Sequence, residues 1–489
     1  MNQIVLIVVL PLLAAFLVPI VARMSASLGA ALGPLVMGVC LWITGTVAIE
    51  SAGNAFAINI GGFMPPLGIT FFVDRLALLF AFLTALLVLV LWPFQGEHRP
   101  REHALTLILA AASGGLALSG DLFNIYVFYE LVSVASFGLV ATGRRSSAPA
   151  IRYLILSGFG SVLALVGIAL VYTQTGTLNL AHLSQLAPTH LINPIGLAAF
   201  ALILLGVGVK AELFPVNTWV PEVYATAPNR VSALLAGLVS KLAALVILRL
   251  LVLVFAQEQA LLVMLLLGLL GVITGELAAW RAQDMNRMLA YSSIGQLGMV
   301  FVAFSIPGET GVFAGLAIAL HHLVVKPALF LLAARWGGAL SGLAGAAGGN
   351  LPAALLFTLF ALSLVGVPPL PGFWAKLLLV MGLAEQVGPL YHFALAGILI
   401  ATVVEANYLF RIVSTLFHRD SPASPAPQKH SGGDIATAGL FGASLIAAVL
   451  LLIPLSQSLK TIAQQTADAA AYRAVVTLAP TTSTLGDTQ

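Results

Sequence analysis

Six lysines occur in this chain, and four of them, Lys210, Lys241, Lys326 and Lys376, fall inside long apolar stretches. The carboxylates Glu130, Glu276 and Glu405 do the same. Placing one charge at the centre of a membrane helix costs about 2.5 kcal/mol or more, which excludes a surface-solubility role and leaves two others. A buried ion pair can act as glue between helices, or titratable groups can carry an ion or a proton. For a single lysine the two roles balance; four lysines with three carboxylates favour the path. Either role needs each carboxylate near a lysine, because an isolated buried charge is neutralised instead. Desolvation also makes an ammonium readier to release its proton, and a carboxylate that approaches or withdraws loads or unloads it. His322 and Lys326 stand four residues apart and share a helical face, a natural relay near neutral pH. His321 points about 100° away and is expected to pack elsewhere or to meet lipid headgroups.

The elements that must position these groups are membrane helices. Of 489 residues, 60% are hydrophobic and 8% charged, against about 25% charged in soluble domains. Mean hydropathy is +1.05, and 46 Gly with 25 Pro suit helices packed closely in lipid. This composition excludes a soluble, disordered, collagen-like or nucleic-acid-binding chain. The formal charge of +3 comes from basic residues scattered singly, without a patch. The single cysteine, Cys40, rules out an intrachain disulfide, a Cys-ligated iron–sulfur cluster and a Cys-rich zinc site. No glycine-rich phosphate loop joins a strand to a helix, and no cofactor, metal or catalytic residue is expected. Redox or nucleotide chemistry, if coupled to this chain, belongs to another subunit.

At about 20 apolar residues per span, the hydrophobic stretches number fourteen, from 2–22 to 436–456. No Lys or Arg precedes the first, so it is expected to stay as an anchor and not to be cleaved as a signal. Lys and Arg concentrate on the cytoplasmic side of membranes. Every second loop here is basic: Arg23; Arg99 and Arg101; Arg144, Arg145 and Arg152; Arg230; Arg281 and Arg287; Arg335; Arg419 with Lys429. One parity for all of them supports an even count and puts both termini on the opposite side, the periplasm of a bacterial inner membrane. The segment 418–435 reads as a flexible cytoplasmic linker and 476–489 as a disordered tail, while 457–475 has only a weak apolar face.

Lys210 follows Gly206 and Gly208 and precedes Pro215; Lys376 follows Pro368, Pro369 and Pro371. Prolines there interrupt spans seven and twelve. Such breaks occur either as ordinary kinks or as the discontinuous helices that line transport sites in inverted-repeat transporters. The two breaks lie five spans apart, so spans four to eight (103–256) and nine to thirteen (260–415) would form two units of opposite topology. SALLAGLVSKLAALVILRL in span eight and FALAGILIATVVEANYLFRI in span thirteen echo each other weakly, with Lys241 and Glu405 near their centres.

Five motifs together resemble a known family: GDLFNIYVFYEL around Glu130, KAELFPVNTWVPEVYATAPNRVSALLAGLVSK from Lys210 to Lys241, DMNRMLAYSSIGQLG from Asp284, HHLVVKPALF around Lys326 and GVPPLPGFWAK ending at Lys376. The chain resembles the antiporter-like proton-translocating membrane subunits shared by complex I, membrane-bound hydrogenases and multisubunit Mrp-type cation/proton antiporters. Through GGFMPPLGITFFVDRLALLF and its compact length it is most similar to the D-type subunits of the Mrp antiporters. The resemblance implies an all-α membrane protein of two inverted five-helix units with a charged axis along the membrane midplane. It implies a Glu130–Lys210 pair, a central Lys241, a His322/Lys326 relay and a terminal Lys376, to which Glu405 is added as a candidate. It further implies other membrane subunits as partners and protons, with Na⁺, as cargo. Gln296 replaces a frequent His, which puts a relay through span ten in doubt, and Asn286 replaces a usual Lys in a loop. Three functions are consistent with these residues: a cation/proton antiporter subunit, a proton-pumping subunit of an NADH:quinone oxidoreductase or hydrogenase, and an energy-coupling partner of an inorganic-carbon uptake enzyme.

Overall fold

The computed structural model describes residues 1–93, 100–143, 146–336, 338–418 and 432–476. Arg99, Arg144, Arg145, Arg419 and Lys429 of the expected basic loops lie outside the described residues, as do 419–431 of the expected linker and 477–489 of the expected tail.

The chain is mostly helical, and its helices follow the fourteen apolar stretches. Spans one to six are Asn2–Met24, Ala26–Glu50, Arg75–Val90, Pro100–Leu118, Leu122–Val140 and Ser147–Thr175. Span seven is split into Pro194–Gly208 and Val220–Thr226. Spans eight to eleven are Asn229–Leu253, Glu258–Arg281, Met285–Phe304 and Gly308–Ala333. Span twelve is split into Leu351–Val365 and Pro371–Ala384, followed by Pro389–Leu416 and Gly432–Leu450. Among the described residues, ten helices are long and apolar enough to cross a bilayer by themselves. The last of the fourteen starts at Gly432, within the stretch read from sequence as linker. Each broken helix is the fourth of its five-helix unit, and because five is odd the two units run in opposite senses.

Small residues let these helices approach. A β-carbon on Gly206 would strike Ala164 of span six, and one on Gly275 would strike the backbone of Gly295 in span ten. Span eight contains a π-helical turn, Leu235–Val239, shortly before Lys241, and Gly237 in that turn packs against Pro327 of span eleven. Such a turn widens the helix and releases a carbonyl from the regular ladder.

The two faces of the helix stack are built differently. On one, Arg230 donates to Asp434 at 2.8 Å and to the Trp92 carbonyl, tying the ends of spans three, eight and fourteen. On the other, the N-terminal ammonium pairs with Glu50 at 3.2 Å. The same face carries an antiparallel hairpin, β1 (Phe56–Asn59) and β2 (Thr70–Val73), in register Phe56↔Val73 to Asn59↔Thr70. β-Branched and aromatic residues make β2 a strand, and Gly61 and Gly62, both at positive φ, let the chain reverse. Residues 457–475, whose sequence shows only a weak apolar face, lie within the helices Leu452–Ala467 and Ala469–Val475. These pack on the helices and close this face: Tyr472 stacks on Phe72 at 3.7 Å, and Arg473 donates to the Ser184 carbonyl at 3.2 Å. Both described ends of the chain therefore lie on one face, opposite the Arg230 loop.

Candidate functional site

Charge is sequestered inside the two repeats. Lys210, Lys241 and Lys326 are among the most deeply buried large side chains, and Glu212, Glu276 and Glu405 are buried with them. At the broken helices, side chains take up backbone carbonyls that the regular ladder leaves. Span seven loses its regular hydrogen bonds after Gly208, and the freed Val209 carbonyl accepts from the Trp219 indole at 2.8 Å. Tyr129 donates to the Gly206 carbonyl at 2.7 Å. In span twelve, Gly366 ends the first half-helix at φ 93°, a conformation that favours glycine.

In the first repeat, Lys210 donates to Ser157 Oγ at 2.9 Å and lies 3.6 Å from the centre of the Tyr129 ring, a cation–π contact. Glu130 accepts from Ser161, one helical turn further along span six, and Ser161 also donates to the Ser157 carbonyl at 2.9 Å. Glu130 acts electrostatically on Lys210. Among the described residues, however, they form no ion pair, and the two serines stand between them.

The centre of the molecule is supplied by both repeats. The carbonyl of Ala236 in the π turn accepts from Lys241 Nζ at 2.5 Å, and Ser240 Oγ accepts from the same ammonium at 3.2 Å. Lys326 donates to Ser292 of span ten at 2.8 Å. His322 is buried in the field of Lys241 and Lys326, and its Nδ1 has no protein partner among the described residues. His321 does not face headgroups: it packs inward, with Nε2 at 2.8 Å from Ser363 Oγ of broken span twelve.

In the second repeat, Lys376 and Glu405 form a direct ion pair, and Lys376 also donates to the Val365 carbonyl freed at the break, at 3.3 Å. Glu405 accepts in addition from Gln296. Span ten is thus joined to this cluster by an amide that does not titrate in the ordinary range. Glu276 lies in the field of Glu405, Lys376 and Lys326 and accepts from Tyr408 OH at 2.9 Å.

The seven candidate residues fall into three groups: Glu130 with Lys210, Lys241 with His322 and Lys326, and Lys376 with Glu405, of which Glu130 and Lys376 are half-buried and the rest buried. The sequence reading does not single out Glu212, whose Oε1 accepts from Tyr224 OH at 2.7 Å. The signal for it is a further carboxylate two residues after Lys210 in an otherwise apolar stretch.

Residues 119–403 match the family described as NADH:quinone oxidoreductase/Mrp antiporter, TM, and the chain belongs to that family of membrane subunits. It is 31% identical over 441 residues to NADH-quinone oxidoreductase subunit N of Desulforudis audaxviator, covering 86% of this chain and 87% of the relative. It is 30% identical over 411 residues to the D subunit of the Na(+)/H(+) antiporter of Bacillus subtilis, covering 78% and 80%. The fold matches a chain of the membrane-bound sulfane sulfur reductase, an archaeal respiratory membrane complex, with TM-score 0.90 and 29% identity over 98% of this chain and 100% of that one. It matches a chain of the Mrp complex from Dietzia sp. DQ12-45-1b with TM-score 0.86 and 26% identity, covering 97% and 99%. These solved relatives are parts of multisubunit membrane complexes. Antiporter and oxidoreductase relatives stand at nearly equal identity.

Proposed function

We propose that this chain is the proton-translocating subunit of a multisubunit monovalent cation (Na⁺)/proton antiporter, similar to the D-type subunits, and that protons move along its buried Glu/Lys/His series. The observation that carries this reading is the series itself: three buried lysines and the half-buried Lys376, held at hydroxyls, carbonyls and a carboxylate, two of the four beside broken helices. Lysine is suited to the task because desolvation brings its neutral form within reach, and each neighbouring carboxylate can tip the balance. Hydroxyl groups between charges both donate and accept, so they can conduct a proton without themselves ionising. The basic loops would face the cytoplasm and both termini the periplasm of a bacterial inner membrane. Spans four to eight and nine to thirteen would be the two transport repeats.

The test is Glu130→Gln in vesicles containing the assembled complex. A neutral isostere keeps the hydrogen bond from Ser161 but removes the charge that supports Lys210, so sodium-driven proton movement should collapse while assembly is normal. Near wild-type proton movement would overturn the reading. The chain expressed alone should show little vectorial transport; robust sodium-dependent proton flux from the single chain in liposomes would point to a self-sufficient antiporter.

A second reading is a redox-driven proton pump subunit, favoured by the 0.90 TM-score to the sulfane sulfur reductase chain. The two separate by energy source. An antiporter complex moves protons in response to an imposed sodium gradient with no electron donor present, and a redox-driven complex does so only while electrons flow.

A further inference from the structure

Glu212 lies in the break of span seven at φ 55°, in the left-handed region that a non-glycine residue rarely occupies. Asn217 donates to its carbonyl at 3.1 Å, which holds the turn, so the side chain points inward and not along a helix face. The residue is 1% exposed. Tyr224 OH bonds one carboxylate oxygen, while the other, Oε2, is buried with no protein partner among the described residues. A carboxylate present only to neutralise a lysine would be expected to close on it. Yet Lys241 donates to Ala236 and Ser240, and neither Lys241 nor Lys326 forms an ion pair with Glu212 among the described residues. The charges of both lysines nevertheless act on Glu212, and Ser293 of span ten lies beside it. The Tyr153 hydroxyl is buried beside Ser136 and lies in the field of both Glu130 and Glu212. The groups that act on Glu212 or feel its charge are thus Tyr224, Tyr153, Lys241, Lys326 and Ser293.

We infer that Glu212 is a proton carrier passing protons between the Glu130–Lys210 cluster and the central lysines, where the two repeats meet. This rests on the proton path proposed above and adds the step that path lacks, since Glu212 is the carboxylate whose charge acts on Lys241. In the transfer, the Lys210 ammonium gives up a proton and becomes a neutral amine, and the Glu212 carboxylate takes one up at Oε2 and becomes a neutral acid. Glu212 then yields that proton to a neutral Lys241 amine, which becomes ammonium, and the carboxylate is restored. The Tyr153 hydroxyl and water conduct between the clusters by donating one proton as they accept another. No charge is created in the interior at any stage beyond those already present.

The experiment compares Glu212→Gln, Glu212→Asp and Glu130→Gln in the assembled complex, reading sodium-driven proton flux in vesicles and the carboxyl region of the infrared difference spectrum after a pH step. Gln keeps the Tyr224 hydrogen bond but cannot carry a proton, so flux should fall by about a hundredfold, the scale of losing a positioned acid–base group. Asp should restore part of that flux and shift one carboxyl band, which Gln should remove. Glu212→Gln flux within about twofold of wild type, with Glu130→Gln inactive, would overturn the role of Glu212 and leave the proton path standing. Full activity of both variants would bring down the path itself. If the Gln variant does not assemble, the Asp variant decides: an unshifted carboxyl band overturns the inference, and a shifted band with reduced flux supports it.

Discussion

In the first repeat Glu130 and Lys210 each bond to a serine of span six and not to one another, whereas in the second Lys376 and Glu405 touch directly. The electrostatic environments differ accordingly. Lys210 rests on the face of Tyr129 and a neutral hydroxyl, and Lys376 on a carboxylate that a second donor, Gln296, also holds. A lysine held by neutral groups is free to change protonation without breaking a charge pair. A lysine in a closed pair must part from its carboxylate first. On the proposed path, the two breaks would do different work, exchange in the first repeat and latching in the second.

The largest effect should come from cutting the closed pair. Lys376→Ala leaves Glu405 buried without its counter-charge, which destabilises by about 3–5 kcal/mol. Lys210→Ala leaves the Ser157 hydroxyl, the Tyr129 ring and a half-buried Glu130 that already bonds Ser161, and should destabilise less, by about 1–2 kcal/mol. Thermal unfolding of the assembled complexes measures both, and equal losses would break the comparison. Next comes Lys376→Arg, which retains the ion pair but removes titration because a guanidinium stays protonated. It should assemble and keep its heat stability while proton flux falls by about a hundredfold; a fully active Arg variant would mean that Lys376 supplies fixed charge alone.

A smaller effect is expected of Ser157→Ala combined with Ser161→Ala. Flux should drop several-fold, with stability lowered by about 1–3 kcal/mol, because the serines conduct between charges more than they hold them. If the double variant instead fails to assemble, the serines are structural and the contrast between the repeats narrows. The smallest effect belongs to Gln296→His, which preserves a donor to Glu405 and should leave flux within about twofold of wild type. A large gain would show that span ten can carry protons once it holds a titratable group.

Much of this arrangement is legible from residue types. Apolar stretches of spanning length, with arginines in alternate loops, give the number of helices and their alternation, because lipid leaves backbone polar groups no other partner. Pro215 and the Pro368–Pro371 run mark both breaks, since proline removes a hydrogen-bond donor wherever it stands. The short loop elements are not legible in the same way. The hairpin at Phe56–Val73 depends on contacts with the Gly120 and Asn179 segments, far away in sequence, and the π turn before Lys241 leaves no mark in SALLAGLVSK. Glu212 goes unnoticed beside Lys210 until the break is seen to bury its carboxylate. Residues 457–475 look indifferent in the sequence because their partners, Phe72, Gly53 and Ser184, come from three separate segments.

That last contact bears on how the protein is made. Asp74 and Arg249 form a buried pair at 2.6 Å, and the Arg249 guanidinium lies 5.6 Å from the centre of the Tyr472 ring. Asp74 leaves the ribosome early, Arg249 midway and Tyr472 near the end of the described chain. During synthesis the pair can form but stays uncovered until the helix bearing Tyr472 has been translated and has settled over it. The pair thus gains its last cover only from residues translated late, and a chain lacking Ala469–Val475 would leave that side of it open.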